Sequence, residues 1–77
     1  MRLYVHVRSD EGVEEDREGL EFASLDDAIA EAWRAAREMV AEIVLQKGRV
    51  DGRMFEIADS DGAVLAIVPF KDVIGLD

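Results

Sequence analysis

The stretch SLDDAIAEAWRAAREMVAEIVLQKG, residues 24–48, decides the fold of this chain. Ser24 followed three residues later by Asp27 has the form of a capping box, in which the serine hydroxyl satisfies an orphan backbone N–H. Asp26 and Asp27 also sit at the positive end of the helix dipole. Projected at the helical period, Leu25, Ala28, Ile29, Ala32, Trp33, Ala36, Met39, Val40, Ile43 and Val44 fall on one side. Asp27, Glu31, Arg34, Glu38 and Glu42 fall on the other, with Arg34 and Glu38 spaced to pair. The alanines in the apolar stripe let the helix lie close to a sheet. Lys47 adds a cation near the negative end, and Gly48 is a suitable left-handed stop. The spacing therefore predicts a continuous helix over residues 24–47 whose apolar side only the flanking segments can cover.

On the N-terminal flank, Leu3, Val5 and Val7 alternate with Tyr4, His6 and Arg8, the period of a strand buried on one face. Ser9 to Glu18 is too charged for a core element and reads as a long hairpin connection. Leu20 and Phe22 form a short second strand, with Glu21 turned the other way. On the C-terminal flank, Asp51-Gly52 signals a turn, and Phe55 and Ile57 alternate with Glu56 and Ala58. Asp59-Ser60-Asp61-Gly62 signals another turn. Ala63 to Phe70 is almost wholly apolar, as expected of an interior strand covered on both faces, and Pro69 limits its ladder. Lys71 to Asp77 is read as a last helical turn or a frayed end. The expected architecture is α+β: ββαββ, a mainly antiparallel four-stranded sheet with one long helix packed on one face, in a single domain over 1–77.

One helix covers one face. With Leu3, Val5, Val7, Leu20, Phe22, Phe55 and Ile57 turned towards it, Tyr4, His6, Arg8, Glu21 and Glu56 turn away. The last strand sends either Leu65 and Ile67, or Val64, Ala66 and Val68, to that outer side. Exposed apolar groups on a small domain mark a partner surface. A second copy or another protein is therefore expected on the open face, around the candidate binding residues Tyr4, His6 and Arg8. In the alternative, Arg8 pairs with Glu21 or Glu56 across strands and the face is merely solvated.

Charge and composition narrow the function. At 77 residues, a single core only just outweighs chain entropy, and no cysteine is present to staple it. The net charge is −9, and nine of the eighteen acids fall in the first 27 residues: Asp10, Glu11, Glu14, Glu15, Asp16, Glu18, Glu21, Asp26 and Asp27. Such a field repels phosphate, which argues against direct nucleic-acid binding. The acidic segment is either a solubilising loop or a surface that imitates a polyanion and occupies a basic groove on another protein. No apolar run approaches the roughly 20 residues that span a bilayer, and the N-terminus has no signal-peptide core. A cytoplasmic protein without membrane contact is the expectation.

No catalytic constellation emerges. His6 is the only histidine, and neither cysteine nor threonine is present for it to activate. Of the serines, Ser24 reads as a helix cap and Ser60 as a turn residue. A zinc site would have to combine His6 with carboxylates, whereas typical sites use more His or Cys. Asp59, Asp61 and Gly62 begin like a calcium loop, but Phe70 stands where the bidentate glutamate belongs. Trp33 lies at the margin of the helical stripe, with its N–H placed to meet water. The reading is a non-enzymatic protein with no metal and no cofactor, acting through a protein partner or as a homo-oligomer. The other reading is an acidic, antitoxin-like inhibitor of a basic, nucleic-acid-handling partner.

Several short segments together resemble a family of small uncharacterised bacterial proteins known as a domain of unknown function. They are Tyr4-Val5-His6-Val7-Arg8, Glu18-Gly19-Leu20-Glu21, the helix with Ala28, Ala32 and Ala36, Asp51-Gly52, Phe55-Glu56-Ile57, Asp59, Gly62 and Val68-Pro69-Phe70. The resemblance implies a compact domain and supplies no catalytic residues. Ala23 to Ala28 is also similar to the helix start of small antitoxins with a partial double-stranded-RNA-binding fold. Those carry an additional strand before the helix and often a separate DNA-binding tail, and this chain is expected to have room for neither.

Overall fold

The helix begins where the capping box puts it. In a computed structural model that describes residues 1–50 and 52–74, Ser24 is extended and its Oγ accepts the Asp27 N–H at 3.1 Å. Three strands come first: β1 (Arg2–Ser9) and the short β2 (Gly12–Glu14) and β3 (Leu20–Glu21). Helix α1 (Leu25–Leu45) follows, then β4 (Met54–Ala58), β5 (Val64–Pro69) and a single-turn α2 (Phe70–Ile74). Asp51, half of the expected turn, lies outside the described residues, as do residues 75–77 of the expected last turn.

Nine of the ten stripe residues of α1 are buried or half-buried, and Ala28, Ala32, Ala36 and Val40 form its buried spine. Val44 departs from the stripe and is exposed. On the solvent side Arg34 pairs with Glu31 (2.7 Å) rather than with Glu38. The stop is also displaced by one residue. Lys47, not Gly48, takes the left-handed conformation (φ 59°). Its N–H donates to the Val44 carbonyl at 3.0 Å, and the Gly48 N–H donates to the Ile43 carbonyl at 2.8 Å, the two bonds of a Schellman ending. Gly48 is required for a different reason: a Cβ there would stand 2.9 Å from Ile43 Cγ2.

The sheet is antiparallel throughout, in the order β2-β1-β4-β5, with β3 pairing the other end of β1. The expected single hairpin partner of β1 is therefore two strands. Val7 faces Glu14 and Leu3 faces Leu20, so residues 15–19 bulge out opposite the shorter stretch 4–6. Three strands precede the helix instead of two. Leu20, expected to face the helix, is exposed at this border, whereas Phe22 packs against the core.

A second correction concerns β5. It is not an interior strand: it forms the opposite border of the sheet. Ala66 and Val68 turn into the core, while Val64, Leu65 and Ile67 stay exposed. The register slips between Ile57 and Ala58, where Val64 and Leu65 together occupy the place of one residue. The core between the layers joins Leu3, Phe55, Ile57, Val68 and Phe70 to the alanine spine. Phe55 and Phe70 meet edge to face, with centroids 5.0 Å apart. No helix among the described residues is long and apolar enough to cross a membrane.

Candidate interaction face

The outer face of the sheet carries the residues singled out above, and β1 and β4 set their spacing. Tyr4 stands opposite Ala58, His6 opposite Glu56, and Arg8 opposite Met54. Beyond β4, Ile67 stands opposite Glu56 and Pro69 opposite Met54. Strand alternation thus places Tyr4, His6 and Arg8 on the side away from the helix.

Each of the three has an intramolecular partner. Arg8 reaches diagonally to Glu56, with Nε to Oε2 at 2.6 Å and Nη2 to Oε1 at 3.3 Å. This is one of the two cross-strand pairings considered for it. Glu56 is only 9 % exposed, so the bidentate contact compensates a carboxylate removed from water. The hydrogen bond to Glu56, then its charge, raise the Arg8 pKa further above its ordinary value, against a smaller loss from burial.

His6 and Tyr4 are tied to the acidic excursion. The Asp16 N–H donates to His6 Nδ1 at 3.0 Å. The Asp16 carboxylate accepts the Val5 N–H (3.2 Å) at Oδ2 and the Glu18 (3.2 Å) and Gly19 (3.1 Å) N–H groups at Oδ1. It thereby replaces the strand carbonyl missing opposite Val5. Burial alone would raise the Asp16 pKa, but the Gly19, Val5 and Glu18 N–H donors outweigh it and hold the carboxyl below its ordinary value. Gly19 is buried with φ +70°, and a Cβ there would stand 2.9 Å from Tyr4 Cε2. Only glycine lets the excursion close over the tyrosine ring. Of the nine acids of the first 27 residues, all but Asp16 are exposed.

With those groups engaged, the apolar surface of the outer face lies on β5: Val64 is 48 % exposed, Leu65 40 % and Ile67 51 %. Sequence reasoning left open which set faced outward. Leu65 and Ile67 do, and the bulge adds Val64 beside them. Sequence reasoning counted Asp16 only as one acid of the charged segment and missed its part in closing the excursion. Its one signal was Asp16-x-x-Gly19, a carboxylate followed by a glycine at turn spacing.

Other chemistry-bearing residues are placed apart from this face. Asp59 Oδ1 accepts the Asp61 and Ala63 N–H groups, both at 2.9 Å, so the calcium-like start is a carboxylate-closed turn. Among the described residues no group of three or more His, Cys, Asp or Glu side chains is arranged to hold a metal. An open cavity of about 410 Å³ lies between the β1–β2 hairpin and α1, lined by Val7, Ser9, Val13, Met39 and Arg53 among others, and His6 is not on its wall. Trp33 is half-buried against the core.

Residues 2–71 match the family described as a domain of unknown function, DUF6894. The chain belongs to that family. The DUF6894 match runs from the first residue of β1 into α2, and so includes every strand, α1 and the outer face. No curated protein and no solved structure matches the chain.

Proposed function

We propose that this protein is a non-enzymatic interaction module that binds a protein, either its own copy or another, through the outer face of its sheet. The observation that carries the reading is the strip of Val64, Leu65 and Ile67, exposed side by side at the border of that face. An interface needs an apolar centre and a polar rim, and Tyr4, His6 and Arg8 supply the rim on β1, the strand beyond β4. A photo-crosslinking side chain at Leu65 is expected to form protein adducts in cells, while the same group at Glu38 on the solvent side of α1 forms none. Equal labelling at both positions, or none at either, refutes the reading.

A second reading rests on the exposed acids of the N-terminal third: an acidic inhibitor that occupies a basic groove on a nucleic-acid-handling protein. Binding of that kind weakens steeply with salt and falls when Glu14, Glu15 and Glu18 are changed to Gln. Asp16 is left intact in that test because its carboxylate holds the excursion to β1. Salt-insensitive binding counts against this inhibitor.

A further inference from the structure

The two borders of the sheet are built differently. The β2/β3 border is short, broken by the 15–19 excursion and lined with Glu14, Glu15 and Glu18, all devices that discourage strand addition. The β5 border has none of that charge. Gly62 to Phe70 carries no ionisable side chain. We infer that the occupant of the outer strip is a second copy of this chain, joined antiparallel β5 to β5 about a two-fold axis. This rests on the interaction reading above and names its partner.

The ladder shows which groups are offered. The Val5 N–H turns away from β4 to Asp16, so Val5 and Ile57 are a pair without mutual hydrogen bonds. Ile57 therefore directs its N–H and C=O to Ala66, and by alternation Ile67 directs its own outward. Pro69, the next outward position, has no N–H and ends the edge. A two-fold axis through Ala66 suits this short edge. It sets Leu65 against Ile67 of the second copy on the outer face, Ala66 against Ala66 where backbones come closest, and Pro69 beyond the pairing. Moving the axis one residue along, to Ile67, slides the strands by two and would face Leu65 with the proline and lose a donor.

Charge supports self-pairing in that direction. Two chains of −9 repel each other over most of their surfaces, and the strip is where they meet without opposing charges. The antiparallel arrangement brings the turn bearing exposed Asp61 alongside the start of α2 bearing exposed Lys71 of the second copy, and the contact occurs twice. Asp59 is engaged within its own turn, Asp72 follows Lys71 on α2, and Arg8 and Glu56 neutralise each other on the same face.

Sedimentation equilibrium and amide exchange of the full chain test this. The expected result is a dimer whose Ile67 amide exchanges more slowly as concentration rises, while the Val13 amide does not change. Lys71→Glu weakens the dimer about tenfold, and Lys71→Glu with Asp61→Lys restores it. Ile67→Lys abolishes it, with far-UV circular dichroism confirming the fold; the charge exchange decides the matter if that variant unfolds. A monomer through the millimolar range, or a dimer whose Ile67 exchange ignores concentration, overturns the inference. A monomer that still gives adducts at Leu65 in cells overturns the second copy and leaves the interaction reading standing; a dimer formed elsewhere without such adducts ends both.

Discussion

His6 and Asp16 clasp each other ten residues apart: the aspartate backbone N–H donates to the imidazole Nδ1 at 3.0 Å while its carboxylate gathers three further N–H groups. A neutral ring with its hydrogen on Nε2 fits that geometry. The contact turns a charged stretch into part of the sheet.

The Asp16 pKa is lowered by folding, so its contribution to stability is complete above the ordinary carboxylate value of 3.8. It drains away as the pH falls through the lower folded value. Asp16→Asn is expected to flatten the acid side of a melting-temperature profile from about pH 4 downwards. Asp16→Ala is expected to cost about 1–3 kcal/mol at neutral pH through its orphaned donors. Urea unfolding at pH 7 checks the second value.

At the helix end, Lys47→Gly removes the strain of a left-handed lysine and is expected to stabilise by about 0.5–1 kcal/mol. Gly48→Ala is expected to destabilise, since its Cβ would be forced against Ile43. Thermal unfolding of the two variants gives opposite signs. Unchanged stability in Lys47→Gly would refute a left-handed Lys47 as the strained stop of the helix.

How far the fold is readable from sequence follows from that pair. The Ser24 cap and the stripe from Leu25 to Ile43 are local signals and hold residue by residue. The stop does not, because Gly48 reads as a conformational glycine although steric room at Ile43 is what demands it. An apolar strand such as Val64–Pro69 announces burial but not its neighbours, so a border reads as an interior. The outer residues Tyr4, His6 and Arg8 were legible from alternation. Their partners Gly19, Asp16 and Glu56 are distant in sequence, and one of them is hidden in a run of acids.

Phe70 is fully buried at the junction of β5 and α2, edge-on to Phe55. Phe70→Ala is expected to cost about 3–5 kcal/mol, a large part of the stability of so small a protein. Phe70→Leu, closer in volume, is expected to cost much less. Denaturant midpoints compare the two directly.

Arg8→Leu leaves Glu56 shielded from water without its cation and is expected to lower the melting temperature. Arg8→Leu with Glu56→Leu removes both charges and is expected to recover most of that loss. Additive losses in the double variant would mean that the pair contributes nothing through mutual contact.

The excursion closed by Asp16 has a consequence for how many copies can join. A layer that is obstructed along one margin can be extended only from the other. Once that margin is taken, nothing remains for a third chain to extend. Concentrated solutions are therefore expected to stay clear and free of fibrils, and mutations that loosen the Asp16 closure are expected to be the ones that turn a finite particle into an open-ended polymer.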